Sequence, residues 1–244
     1  MNKIFSILLL FLSLTIFAQK PTLFLIGDST MSNKDNPDKN PEHGWGQVLP
    51  QFLTTGIELQ NHAMNGRSSK SFRTEGRWGK VEKQLKKGDF VVIQFGHNDQ
   101  KIKDSTKFTN PYTQYRANLE RYVNETRAKG ATPILMTSIT RRNFTENGVL
   151  VDTHTNYPLV VRLVADDMKV SFVDMQLLTE QMEISAGPEK SKLLHLHFKA
   201  GENPYYEKDK ADDTHLSKLG AETVAKLALT SLKTLKIGLE KYIK

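Results

Sequence analysis

Ser29 ends an apolar run, in LFLIGDST (residues 23–30). A serine hydroxyl is a weak nucleophile at neutral pH and needs a base that takes its proton during attack. In DDTHLS, His215 can be that base. Asp212, three residues earlier, can fold back through a turn and hold the imidazole in one tautomer. The oxyanion formed in acyl transfer needs fixed donors, and losing one costs about 3–4 kcal/mol of barrier. The backbone N–H groups of Ser29 and Gly66 (in NHAMNGRSS) and the side-chain amide of Asn98 (in GHND) can supply three. Lacking a side chain, Gly66 lets its amide approach a substrate closely. Taken singly these residues are ordinary: a serine closes a strand, Asn98 and Asp99 cap a loop, a histidine beside a helix start bonds the backbone. Their joint occurrence fills every role of serine-based acyl transfer.

The elements that must position them read as an alternation. Apolar runs at 22–28, 57–63, 89–96, 132–139 and 170–175 predict strands, and helical spacing predicts helices at about 45–55, 78–87, 112–129, 157–168 and 217–236. In the fourth helix, Leu159, Val160, Leu163 and Val164 form the expected apolar face. Repeated strand–helix alternation implies a parallel sheet with helices on both faces, and such sheets bind ligands beyond the carboxyl ends of their strands. Ser29, Gly66 and Asn98 follow the first three strands, and Asp212 and His215 precede the last helix, so all are expected at one rim. Residues 176–210 fit no such unit and are expected to cross one end of the sheet, and 33–43 reads as an exposed loop.

The 244 residues, 38% hydrophobic and 25% charged, suit one core and one domain. Residues 1–18 have the layout of a secretory signal peptide: a basic start at Lys3, an apolar stretch from Ile4 to Phe17, then Ala18. The stretch is shorter than the roughly 20 residues that span a bilayer. The domain is therefore expected at 19–244, with no membrane span after cleavage, in an exported protein, periplasmic or extracellular, of a Gram-negative bacterium. No cysteine is present, which removes disulfides, thiol nucleophiles and thiolate metal sites. The net charge of +7 is read two ways, as a solvated basic surface or as attraction to an anionic polymer. Arg67, Arg73, Arg77, Arg141 and Arg142 are expected at the same rim, where guanidinium groups suit carboxylates. His97 is expected to shape the oxyanion loop. His195 and His197 alternate as on a strand and point the same way, and a structural or substrate-facing role is preferred to a metal site.

GDS after strand one, a glycine after strand two, GHND after strand three and DDTH near the C-terminus resemble, block for block, the SGNH (GDSL) hydrolases. GDSTM, NGRSSKSFRTEGRW, QFGHNDQK, RRNF with DTHTNYP, and DDTHLSKLGA are similar to the rhamnogalacturonan acetylesterase group of carbohydrate esterases. The resemblance spans about residues 22–235. It implies a flavodoxin-like three-layer α/β/α sandwich with a five-stranded parallel sheet of order 2-1-3-4-5. It also implies Ser29 as nucleophile, Asp212 and His215 completing the triad, Gly66 and Asn98 in the oxyanion hole, and no metal or other cofactor. Asp213 competes with Asp212 for the orienting role, and the family pattern selects Asp212. His97, Arg67, Arg77 and His154 are the residues expected to meet substrate. The expected activity is removal of O-acetyl groups from a plant cell-wall polysaccharide, most of all pectic rhamnogalacturonan, so the partner is an acetylated acidic polysaccharide and not a nucleic acid. Acetylated xylan is the near rival. A lipase, lysophospholipase or thioesterase on the same scaffold and a non-catalytic carbohydrate-binding protein are the further alternatives.

Overall fold

The computed structural model describes residues 20–244. The expected signal peptide lies outside the described residues. The strands are β1 (Thr22–Gly27), β2 (Glu42–His43), β3 (Glu58–Asn61), β4 (Phe90–Gln94), β5 (Thr132–Met136), β6 (Ser171–Val173), β7 (His195–Phe198) and β8 (Lys210–Ser217). The helices are α1 (Ser69–Thr74), α2 (Arg77–Glu82), α3 (Arg116–Ala128), α4 (Tyr157–Asp167), α5 (Met175–Lys190) and α6 (Lys218–Thr234). Five parallel strands form one sheet in the order β3-β1-β4-β5-β6, which is the expected 2-1-3-4-5 once the short β2 is counted.

Side-chain alternation makes the three layers. Leu23, Leu25, Val92, Ile134 and Met136 point to one face, where they pack with Val224, Ala225, Ala228 and Leu232 of α6 and Met175 of α5. Phe24, Ile26, Val91, Ile93 and Leu135 point to the other, against Phe72, Trp78, Leu119, Tyr122, Val160 and Val164 of α1 to α4. Each such fully buried side chain contributes about 1.5–3 kcal/mol. Helix starts are set locally: Ser68 and Ser71 form a capping box at α1, Asn110 accepts from Tyr112 and Thr113 ahead of α3, and Ser217 accepts from Gly220 at α6.

Four expectations need correction. The helix expected at 45–55 is a set of turns with one 3-10 turn at Leu49–Phe52, because Pro50 interrupts it while Trp45 donates its indole N–H to Gln94. Leu159 and Leu163 of α4 are exposed, and Tyr157, Val160, Val161 and Val164 carry its buried face. The region 176–210 is not merely an excursion: α5 packs beside α6 on the sheet, and β7 joins β2 and β8 in a second, antiparallel sheet of order β2-β8-β7. The loop at 33–43 buries Lys34 and Asn40 and ends in β2.

Candidate active site

The nucleophile sits on a tight turn after β1, where the Asp28 carbonyl accepts from Met31 and Ser32. The base arrives on the second sheet. Between β7 and β8, His195 pairs with Leu216 while the next residue, Leu196, pairs with Asp212. Residues 213–215 therefore bulge out of the ladder, and the bulge re-aims His215. Its Nε2 is 3.0 Å from Ser29 Oγ and its Nδ1 is 2.9 Å from Asp212 Oδ2. The other oxygen of Asp212 accepts the backbone N–H groups of Thr214 and His215, each at 3.0 Å. Burial pushes the Asp212 carboxyl up, but the bonds from His215 and Thr214 outweigh it and hold the group well below the usual carboxylate range. Asp212 thus stays ionised, keeps Nδ1–H toward itself, and leaves the Nε2 lone pair facing the serine hydroxyl. Asp213 is engaged elsewhere: its Oδ1 accepts from Arg142 at 2.8 Å and lies 2.7 Å from His197 Nε2.

The donors converge on the same edge. Among the described residues, neither the Ser29 nor the Gly66 backbone N–H has a protein acceptor. Asn98 is buried, and its side-chain amide is steered by a 3.1 Å bond to the Arg67 carbonyl, one residue past Gly66. Glycine is required at 66 by its φ of +75°, whereas a Cβ there would meet nothing within 4 Å. In the GHND loop, Gly96 backs onto Ser138, whose Oγ would clash with an added Cβ. Asp99 anchors that loop by accepting from the Ser69 amide and hydroxyl and the Thr109 hydroxyl.

Two positioning groups went unseen in the sequence. Lys34 is buried, with its ammonium 2.6 Å from the Ser29 carbonyl, 2.7 Å from Asn65 Oδ1, 3.1 Å from Ser32 Oγ and 2.8 Å from Glu42. Asn65 precedes Gly66, and Glu42 lies on β2, which pairs with the end of β8 just past His215. One cation thus ties together the nucleophile turn, the oxyanion loop and the strand pair that carries the base. The second group is Asp28, whose carboxylate accepts from the Thr30 amide and hydroxyl and lies 3.0 Å from His97 Nδ1.

The residues expected to meet substrate divide. Arg67 and Arg77 lie beside the oxyanion loop and share one carboxylate, Glu75, at 2.9 and 2.7 Å, which leaves a net positive patch. His97 and His154 are 4% and 0% exposed and stack edge to face, 4.7 Å between centroids, with His97 Nδ1 beside Asp28, so both brace the site from within. Arg73 is bound to Glu125 and lies over the Tyr122 ring, and Arg142 is buried against Ser191, Pro188 and Asp213, so neither joins an open basic cluster. His195 is buried against Glu183 at 2.8 Å and His197 engages Asp213, which gives each a structural partner.

A serine bonded to a histidine, the histidine to a carboxylate, and free N–H donors at the carboxyl rim of a parallel α/β sheet define a serine ester hydrolase with a Ser-His-Asp triad. The chain belongs to the GDSL-like lipase/acylhydrolase family, whose sequence model matches residues 25–223. It is 38% identical to rhamnogalacturonan acetylesterase RhgT of Bacillus subtilis over 91% of this chain and 93% of that one. It is 32% identical to the probable rhamnogalacturonan acetylesterase YesY of the same organism, over 91% and 96%. Among solved structures, protein YxiM of Bacillus subtilis superposes with a TM-score of 0.76 at 27% identity, covering 90% of this chain and 58% of that one.

Proposed function

We propose that this chain is an exported esterase that removes O-acetyl groups from the rhamnogalacturonan backbone of pectin. The observation that carries the chemistry is the Ser29–His215–Asp212 relay at 3.0 and 2.9 Å beside the donors of Ser29, Gly66 and Asn98. Ser29 Oγ attacks the acetyl carbonyl as His215 Nε2 takes its proton, and the oxyanion is held by the three N–H donors. The imidazolium, stabilised by Asp212, then protonates the departing sugar oxygen. Water, activated by the same imidazole, releases acetate from the acetyl-enzyme. Support for the polymer comes from the two rhamnogalacturonan acetylesterase relatives, from the net positive charge, and from the polar surroundings of Ser29, with Asn65 and Arg67 at its edge. Support for export comes from the composition of residues 1–18.

Acetate release is measured from acetylated rhamnogalacturonan, acetylated xylan and p-nitrophenyl esters of short and long acyl chains. The highest kcat/KM is expected on the pectic polymer, and Ser29→Ala is expected to abolish release from every substrate. Preference for a long acyl ester or for xylan overturns the substrate, and turnover retained by Ser29→Ala overturns the mechanism. Export is checked by N-terminal sequencing of the protein recovered outside the cytoplasm.

A further inference from the structure

Two loops leave the catalytic residues and meet again away from them. One, residues 33–41, follows the nucleophile turn, and the other, residues 199–209, runs directly into the strand that carries Asp212 and His215. Between them opens a cavity of about 500 Å³ lined by Asp38, Lys39, Asn203, Pro204 and Tyr205. Both loops are braced from within. Asn40 donates to the Asp35 carbonyl and accepts from the Glu42 amide, while Asp209 accepts from the Ala200 amide and the Lys199 ammonium.

The brace presents aromatic surface to solvent. Phe198 of β7 packs on Tyr206 at 5.6 Å between centroids, and Tyr206 meets Tyr205 edge-on at 5.4 Å and 87°. Tyr205 is 45% exposed at the cavity wall, although its ring is held on one side. A rigid tyrosine with an open flank binds a partner at low entropic cost, since few rotamers are lost. The platform is also joined to the catalytic acid. The Lys210 ammonium is 5.7 Å from the Tyr206 ring centroid and 3.2 Å from Asp212 Oδ2. The Tyr206 phenol is pushed up to about 12, by burial first and then by the nearby carboxylates of Glu42 and Asp212. A fatty acyl chain does not suit walls made of Asp38, Lys39 and Asn203. A sugar chain does: its C–H faces stack on tyrosine rings, its hydroxyls meet the Asn and Asp side chains, and its carboxylates meet ammonium groups.

We propose that Tyr205 and Tyr206, with Lys39 and Lys210, form a second saccharide subsite that holds a uronate-bearing stretch of the polymer while a neighbouring acetylated sugar lies at Ser29. This rests on the polysaccharide reading above and extends it to a named surface. The subsite binds the same chain as the catalytic serine, so its effect falls on polymeric substrate.

The test uses the full exported protein. Tyr205→Ala is expected to raise KM for acetylated rhamnogalacturonan about tenfold relative to KM for p-nitrophenyl acetate, with kcat on the polymer held. Lys39→Gln is expected to raise KM on that polymer and not on neutral acetylated xylan. A separate arm titrates deacetylated rhamnogalacturonan oligosaccharides into Ser29→Ala protein, with and without Tyr205→Ala, where binding is expected to weaken by a similar factor. An unchanged KM ratio together with unchanged oligosaccharide binding in Tyr205→Ala overturns the subsite. Should the enzyme release no acetate from any polysaccharide, the polymer reading fails, and the titration alone decides: Tyr205-dependent binding supports the subsite, and absence of binding overturns it.

Discussion

Asp212 with His215 and Asp28 with His97 are the same two groups at nearly the same separation, 2.9 and 3.0 Å, within one site. In both, a carboxylate takes the imidazole Nδ1–H and so fixes the tautomer. They differ in what the far nitrogen meets. His215 Nε2 faces the Ser29 hydroxyl at 3.0 Å at an edge open to solvent, whereas His97 Nε2 is buried and, among the described residues, has no hydrogen-bond partner. Asp28 is also adjacent in sequence to Ser29, so its pair stiffens the turn that presents the nucleophile. The carboxylate–imidazole pair is therefore not the reactive feature by itself. Access of the second nitrogen to a hydroxyl makes one pair a base and leaves the other a brace.

Equivalent substitutions break the comparison most sharply. Asp212→Asn is expected to lower kcat on p-nitrophenyl acetate about 10⁴-fold, because the asparagine amide favours the wrong tautomer. Asp28→Asn is expected to act far less on kcat. It costs about 1–3 kcal/mol of stability through a poorly met buried bond, and under about tenfold in kcat through a small shift of the turn. Steady-state kinetics and urea denaturation on both variants decide it. Equal losses of kcat would give the buried pair a direct part in proton transfer.

Lys34 extends the brace from one turn to three elements, and its loss should act on orientation. Lys34→Met releases the Ser29 carbonyl and Asn65 together, and so moves two of the three oxyanion donors. Misplacement by about 1 Å costs about 10²-fold, so kcat is expected to fall by that order with KM near its original value. Near-UV circular dichroism checks that the variant is folded. A rise in KM at constant kcat would instead make Lys34 a substrate-binding group.

Such braces are what the sequence conceals. The five apolar runs and the ordered Gly-Asp-Ser, Gly66, Gly-His-Asn-Asp and Asp-Asp-Thr-His blocks are legible because strand alternation and acyl-transfer chemistry each demand particular residue types at particular places. Lys34 is not legible, since a lysine in a loop rich in Asn and Asp reads as solvated, and nothing in the pattern shows that its ammonium turns back on the Ser29 carbonyl and reaches Asn65, 31 residues on. Helix α5 hides because Gln176 and Glu183 occupy buried positions and blur its apolar stripe, and because Gly187 and Pro188 kink its end. Strand β8 hides because KADDTHLS carries the polar residues of the site where a strand pattern would show apolar ones. The helical spacing of Leu159 with Leu163 pointed to the wrong face of α4, since two overlapping apolar stripes compete there and the one bearing Tyr157 and Val161 is buried.

Burial around the inner pair also sets how the fold responds to acid. His154, packed on His97 with its Nδ1 3.5 Å from Asp152 Oδ1, is held down to about 4 from 6.5, because burial outweighs the nearby carboxylate. His97 is also lowered, again by burial first. Between pH 6.5 and 4 the unfolded chain binds a proton on residue 154 that the folded chain refuses, so this group removes stability as pH falls. Asp99 runs the other way. Burial raises it to about 6 from 3.8, so between those values the folded chain takes up a proton that the unfolded chain does not, and stability grows as pH falls. Each group sets a slope of about 1.4 kcal/mol per pH unit, of opposite sign, so Asp99 offsets part of what the buried histidines remove. Asp28 is held at about 2, below 3.8, because the His97 and Thr30 bonds outweigh its burial; its contribution is present above pH 3.8 and is lost toward pH 2. Urea denaturation across pH 6.5 to 4 should therefore show His154→Phe losing less stability on acidification than the native protein, and Asp99→Asn losing more. If both variants instead track the native profile, the inner histidine is not kept neutral by its surroundings, and the contrast between the buried and the catalytic imidazole loses its physical basis.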